Sequence, residues 1–279
     1  MKFAVTVVSP PGYIHSAAFN EAAETIHYGL RSLGHDSVLT TEGMLPGRRH
    51  IVLGSNLLPR YQLPFAHDAI LYNLEQVEVG SPWFRHELID IFRRHVLWDY
   101  SKQNAAVLDA LGVQVAHVVP LGYVKELTRI QRAPDPDIDV LFFGSMNPRR
   151  KEVLDRMRAV GLRVGAVFGI YGKERDTLIG RAKLLLNAHF YNAKVLEMVR
   201  ISYLLANRCA VLSERSSNPE EDDALAEGVA FADYQHLALR ARELIDAPDE
   251  RERLARRGFE IMSARPAAEY LCAALAQDG

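Results

Sequence analysis

The chain has 279 residues, 48% of them hydrophobic and 24% charged, with a formal net charge of −2. That length allows two domains, each with its own core, and the near-neutral balance argues against a general nucleic-acid binder or a polybasic membrane-surface protein. The two cysteines, Cys209 and Cys272, are too few for a disulfide framework or a cysteine zinc site, and both read as small buried hydrophobes.

From the N-terminus, Phe3–Val8 is apolar and β-branched. It is too short for the core of an export signal and reads as a first strand, and no segment approaches a membrane span, so the expected compartment is the cytoplasm. A loop, Ser9 to His15, follows, and Ser16 is placed to cap a helix on which Phe19, Ala22, Ile26, Leu30 and Leu33 recur at three- and four-residue steps before Gly34. Strands are expected at Ser37–Leu39, His50–Leu53, Ala69–Tyr72, His95–Trp98 and Val113–Val119, with a helix capped by Ser101 between the last two. This alternation predicts a parallel sheet covered by helices.

Lys125–Asp139 is polar, carries Pro134 and Pro136, and has no period, so it reads as a linker and hinge. Its Asp135-Pro-Asp137 precedes a strand rather than following one, which is the wrong end for a ligand. Strands then recur at Val140–Phe143, Arg163–Phe168, Leu184–Asn187, Ala210–Leu212 and Gly228–Phe231. Helices are expected after Pro148, around Arg175–Ala182, over Leu196–Ala206, Pro219–Ala226, Gln235–Ile245 and Asp249–Ser263, and again after Pro266. The expected division is residues 1–125, 126–265, and a terminal helix 266–279 that returns to the first domain to shelter Tyr270, Leu271 and Leu275.

The richest stretch runs from Asp139 to Lys151. An apolar strand stops at Gly144 and Ser145, Asn147-Pro148 supplies an N-cap and a first-turn proline, and Arg149, Arg150 and Lys151 crowd the helix start. Free backbone N–H groups, the helix dipole and arginine forks suit a phosphate; the alternative is an ordinary turn with solvated cations. Further along stands Val199-Arg200-Ile-Ser-Tyr203-Leu-Leu-Ala206-Asn207-Arg208-Cys-Ala-Val-Leu-Ser213-Glu214. This segment and the order of elements resemble the GT-B glycosyltransferases of the group-1 and spore-coat types. Their pattern has an arginine, a glutamate three residues later, then Ala-Cys-Gly and an apolar strand. Here Arg200 and Ala206 are kept, Tyr203 stands at the glutamate position, and Asn207-Arg208 replaces Cys-Gly. Glu197, one turn earlier, returns a carboxylate to that helix face.

The resemblance implies an α/β chain of two Rossmann-like domains facing a central crevice, with the terminal helix returning to the N-terminal domain. It implies sugar transfer from a nucleotide sugar, held by the second half, to an acceptor hydroxyl bound by the first, without a metal or a further cofactor. Gly144, Ser145, Arg149 and Arg150 would neutralise the diphosphate, and Tyr171, Lys173 and Arg175 would add a stacking ring and cations. Asn187, His189 and Tyr191 would line the donor. Glu197 would accept from sugar or ribose hydroxyls with Arg200 orienting it, and Glu214 would lie beside them. His15 is the candidate base, oriented by Asp99 or Glu75. The base, the sugar and the acceptor are not legible. Two other readings stay open, a sugar-nucleotide epimerase and a non-catalytic nucleotide-sugar-binding module; a periplasmic-type binding protein is disfavoured by the lack of an export signal.

Overall fold

The structure, a computed structural model, describes residues 1–81 and 84–277. The chain forms two compact units: Met1–Val124 together with the segment from Arg265 onward, and Lys125–Ala264. The first unit has six strands, β1 (Lys2–Val7), β2 (Asp36–Thr40), β3 (Arg49–Leu53), β4 (Ile70–Asn73), β5 (Val96–Asp99) and β6 (His117–Val118), in the order β2-β1-β3-β4-β5-β6. Every pairing is parallel. Phe3, Ala4, Val5, Ile51, Val52 and Leu53 have no exposed surface, because helices cover both faces and leave no polar side to the central strands. Helices α1 (Asn20–Ser32), α2 (Leu58–Tyr61), α3 (His86–Phe92) and α4 (Lys102–Ala110) make the crossovers. The short α2 and α3 carry too few turns to show a helical period.

Two local expectations are corrected. Ser16 does not cap α1: the chain first makes a 3-10 turn, Ile14–Phe19, and the Ser16 hydroxyl donates to the Val8 carbonyl at 2.7 Å. Of Val113–Val119 only His117–Val118 forms strand, at the sheet edge where one side alone offers a partner. Ser101 does cap α4, accepting from the Gln103 and Asn104 amides.

The second unit holds β7 (Ile138–Phe143), β8 (Val164–Val167), β9 (Ala182–Asn187), β10 (Val211–Glu214) and β11 (Ala230–Ala232), all parallel, in the order β11-β10-β9-β7-β8. Helices α5 (Pro148–Ala159), α6 (Gly172–Gly180), α7 (Met198–Ala206), α8 (Pro219–Asp223), α9 (Leu237–Asp246) and α10 (Pro248–Ser263) surround it. Val140, Phe142, Leu184 and Leu186 of the sheet pack with Val153, Leu154 and Met157 of α5. Each unit is thus an open parallel sheet whose order reverses once, between β1 and β3 in the first and between β7 and β9 in the second. Loops beyond the carboxyl ends of strands at such a reversal diverge and leave room for a ligand.

Lys125–Asp139 is not a free linker. The Asn207 side chain accepts from the Arg129 and Ile130 amides and donates to the Leu127 carbonyl, each at 2.8 Å. Arg132 adds bonds to the Ile179 and Ala182 carbonyls. The segment is polar because its hydrogen bonds are spent on the second unit. The same geometry explains two departures from the family-like pattern. Asn207 is the anchor just described, and Arg208 holds the left-handed conformation (φ +52°) that the pattern gives to glycine. A left-handed arginine is strained by roughly 1–2 kcal/mol, and its guanidinium lies 3.7 Å from the centre of the Phe259 ring, a contact glycine cannot make.

The chain re-enters the first unit at Arg265 and closes with α11 (Ala267–Gln277). Tyr123 and Pro266 form a parallel bridge, and the Ala267 amide donates to the Tyr123 carbonyl at 3.0 Å. Alpha-11 lies against α1 at Gly29, where a Cβ would come 2.6 Å from Leu271, and its start lies against the chain at Gly122, where a Cβ would come 2.4 Å from the Ala267 backbone. Leu271 and Ala274 are buried there. Cys209 is buried, whereas Cys272 is exposed on the outer face of α11, contrary to the expectation of two buried thiols.

Candidate functional site

The reversal in the second sheet gathers most of the residues singled out above. Beyond β7, Gly144 adopts φ +136°, and a Cβ there would come 2.7 Å from the Arg200 guanidinium, so the turn requires glycine on both counts. Asn147 caps α5 by accepting from the Arg150 amide at 2.8 Å, and its own amide donates to the Phe190 carbonyl at 3.1 Å, tying the loops after β7 and β9 together.

The three cations of the expected phosphate cradle are all engaged. Arg150 is 3% exposed; it donates to the Ala188 carbonyl (2.8 Å), the Ser145 carbonyl (2.9 Å) and Glu197 (2.6 Å). Burial pulls its pKa down to about 10, against the pull of Glu197. It is a strut joining three loops. Arg149 grips Glu214 with both terminal nitrogens and lies 4.0 Å from the centre of the Tyr234 ring. Lys151 bonds Asp155 on the surface of α5 at 2.6 Å.

Glu197, at the start of α7, sits between Arg150 and Arg200. Burial pushes its carboxyl up, but the charges of Arg200 and Arg150 and the Arg150 hydrogen bond outweigh that and hold it below the usual range. Glu214 is treated likewise, burial being overcome by the hydrogen bonds and charge of Arg149 and by the His189 backbone amide. Both carboxylates are therefore ionised near neutrality, which suits them to accept hydrogen bonds and unsuits them to carry a proton. Arg200 also donates to Asn187 at 2.6 Å, and Asn187 donates to Ser213 at 3.0 Å. Lys194 lies 3.6 Å from Glu214.

Two features of this cluster are unsatisfied. Among the described residues, neither ring nitrogen of His189, which has no exposed surface, makes a hydrogen bond of good geometry, although the Arg215 backbone acts on the ring, and the buried Nε of Arg200 meets no partner. Burial lowers the pKa of His189 despite Glu197 and Glu214 nearby, so the ring is neutral. Orphaned buried polar groups cost about 1–3 kcal/mol each and are rare. Among the described residues, Arg149, Arg150, Lys194 and Arg200 pair with the two carboxylates Glu197 and Glu214, so the carboxyl ends of β7, β9 and β10 carry net positive charge.

The Tyr171 turn is arranged differently from the expectation. Gly172 (φ +57°) opens α6 and Lys173 is exposed, but Arg175 turns inward, bonds Asp176 at 3.0 Å and stacks on Phe143 and Tyr203. Tyr191 lies half-exposed, edge-on to Phe190. Tyr203, at the pattern's glutamate position, is buried; its hydroxyl donates to Asp176 at 2.7 Å and accepts from Arg129 at 3.2 Å. The carboxylate in that neighbourhood is thus Asp176, whose adjacency to Arg175 hid it within an ordinary charged helix start.

In the first unit His15 is half-buried in the 3-10 turn, edge-on to Tyr13 with ring centres 5.3 Å apart. Asp99 is fully buried, and its two oxygens accept from Asn73 (2.6 Å), Ser101 (2.8 Å) and Asn104 (3.0 Å). Those bonds tie the end of β4 to the start of α4, which is structural employment. Glu75 lies near enough to Tyr13 to help raise its hydroxyl pKa after burial and Tyr61.

Burial pushes Asp99 up to about 7, against its N–H donors. A carboxyl whose folded pKa is raised adds stability that is complete below its unfolded pKa and is lost as pH rises through the folded one. Stability should therefore fall from about pH 4 to about pH 7, by roughly 2–4 kcal/mol from this group. Urea melts across that range should show the slope, and Asp99→Asn should flatten it; an equal slope in both proteins would refute the assignment.

No family model matches the chain. Over 174 residues it is 28% identical to an uncharacterized protein of Acanthamoeba polyphaga mimivirus, covering 60% of this chain and 55% of that protein. It spans 14% and 27% of two further proteins of the same virus. Among solved structures, sucrose-phosphate synthase from Thermosynechococcus elongatus superposes with a TM-score of 0.62 at 13% identity, covering 99% of this chain and 98% of that one. The Anabaena protein HepE, solved with UDP and glucose, gives 0.60 at 11% identity, covering 99% of both chains. The fold is that of the GT-B glycosyltransferases. Among the described residues, no helix is long and apolar enough to cross a membrane.

Proposed function

We propose that this chain transfers a sugar from a nucleotide-sugar donor to an acceptor hydroxyl. The observation that carries the proposal is the pair of unsatisfied buried groups, Arg200 Nε and the His189 ring, beside the Gly144 turn in a net positive cluster at the β7/β9 reversal. A diphosphate supplies acceptor oxygens for Arg200 and for the protonated nitrogen of His189, and its charge balances the excess cations. Glu197, held ionised, is the acceptor for sugar or ribose hydroxyls. The fold likeness to nucleotide-sugar enzymes agrees with this reading, as an analogy.

In the transfer, the acceptor oxygen bonds to the sugar's anomeric carbon while the bond from that carbon to the diphosphate oxygen breaks. The diphosphate leaves with the bonding pair, stabilised by Arg200. His15 takes the acceptor proton. The second unit is the donor side and the first the acceptor side in this proposal.

Calorimetry with UDP, GDP and TDP, followed by assay of nucleotide release from their common sugars, tests it. Binding of one nucleotide at roughly 1 μM–1 mM, weakened about 10–100-fold in Arg200→Ala, is expected, with release stimulated by an acceptor. Sugar isomerised without nucleotide release would install the epimerase reading, and binding without turnover would leave a recognition module. No binding to any nucleotide would end all three.

A further inference from the structure

The order of the first sheet reverses between β1 and β3, and the two loops leaving that reversal bring aromatic side chains together. After β1 the Tyr13 amide closes a turn on the Pro10 carbonyl at 3.0 Å, presenting Tyr13 and then His15. After β3 the left-handed Gly54 (φ +81°) leads through a 3-10 turn into α2, which carries Arg60 and Tyr61 and ends at the left-handed Gln62. The Tyr13 and Tyr61 rings lie 5.8 Å apart at 50°, and the Arg60 guanidinium lies 5.5 Å from the Tyr61 ring. Both tyrosines are half-buried and rest on the cluster containing Val8, Leu57 and Leu58, which restricts their rotamers. Glu75, beyond β4, acts electrostatically on Tyr13.

We propose that this aromatic corner is a saccharide-binding platform and that the acceptor is a carbohydrate; the role as acceptor site rests on the glycosyltransferase reading, whereas saccharide binding does not. A pyranose has an apolar C–H face and a rim of hydroxyls. It needs a preorganised ring to lie on, with a carboxylate, a guanidinium and an imidazole at the edge, and Tyr13, Tyr61, Glu75, Arg60 and His15 supply those chemistries from adjacent loops. A lipid chain calls for continuous apolar surface, but here the rings are interleaved with Arg60 and Glu75 and Ile14 is the one strongly exposed large hydrophobe of the 3-10 turn. A peptide adding as a strand calls for an open sheet edge, and β1 and β3 are paired on both sides.

Saturation-transfer NMR on the full chain without donor, using the methyl glycosides of glucose, galactose, N-acetylglucosamine and rhamnose and their β-linked disaccharides, tests the platform directly. Transfer to ring C–H protons is expected for at least one probe. It should weaken about tenfold or more in Kd in Tyr13→Ala and Tyr61→Ala, and persist in Tyr13→Phe and Tyr61→Phe, which keep the ring and guard against misfolding. Nucleotide affinity should not change in any of the four. Absence of transfer for all probes, or equal saccharide affinity in the folded alanine proteins, would overturn the platform. The transferase reading fails separately, through absence of nucleotide binding or turnover; acceleration of turnover by serine peptides or polyprenyl phosphates alone would keep that reading and refute a carbohydrate acceptor.

Discussion

Replacing Glu197 by alanine is expected to destabilise the second unit by about 3–5 kcal/mol, since removal of one partner from a buried charge cluster strands the others. Arg150 and Arg200 both point their charge at this carboxylate, and Arg150 is 3% exposed. Without Glu197 two guanidiniums face one another across the loops after β7 and β9. Their remaining bonds to the Ala188 and Ser145 carbonyls and to Asn187 satisfy hydrogen bonding but not charge. Glu197→Gln keeps the shape and loses the charge, so it should fall between wild type and alanine. The pH sign follows from the depressed pKa of Glu197. Its stabilisation is complete above its unfolded pKa and is lost as pH falls through the folded value, so the wild-type advantage should shrink in acid. Urea melts, which leave ionic strength unchanged, measure this. A Glu197→Ala protein with an unaltered midpoint at neutral pH would show that the cluster holds no such energy.

On the proposed mechanism, replacement of His15 by alanine is expected to lower turnover by about 10²–10⁴ while leaving donor affinity nearly intact, because a general base contributes only as the proton moves in the transition state. The two carboxylates at the β7/β9 reversal are poor rivals as the base, because arginines hold Glu197 and Glu214 ionised and occupied. Asp99 is equally occupied, by three N–H donors. The rate of nucleotide release at saturating donor and acceptor, beside the Kd of the donor, checks this. Turnover retained in that protein would transfer the role to Glu75. Loss of donor affinity in step with turnover would instead mean that His15 holds substrate rather than moving a proton.

Much of the fold was legible in the residue order because its signals are local. Apolar runs of strand length alternate with helical periods, and Ser101, Asn147 and Asn218 cap helices as their type and position imply. The Gly144 turn is equally local, since a backbone at φ +136° demands glycine wherever it occurs. These features placed the site residues at the carboxyl ends of strands. Nothing local distinguishes a cation that meets a ligand from one that meets a carboxylate 47 or 65 residues away. Arg149, Arg150 and Lys151 are consecutive, yet tertiary packing sends the first to Glu214, buries the second on Glu197 and leaves the third on the surface with Asp155. The same holds for Lys125–Asp139, whose polarity reads as solvation until Asn207, far along the chain, takes up its amides. Residue type and spacing determined the two parallel sheets, while the strand order and the place where each sheet reverses came from tertiary pairing. Burial, which assigns charges their partners across loops distant in sequence, decided which of those residues are tied to a partner and which are left unsatisfied.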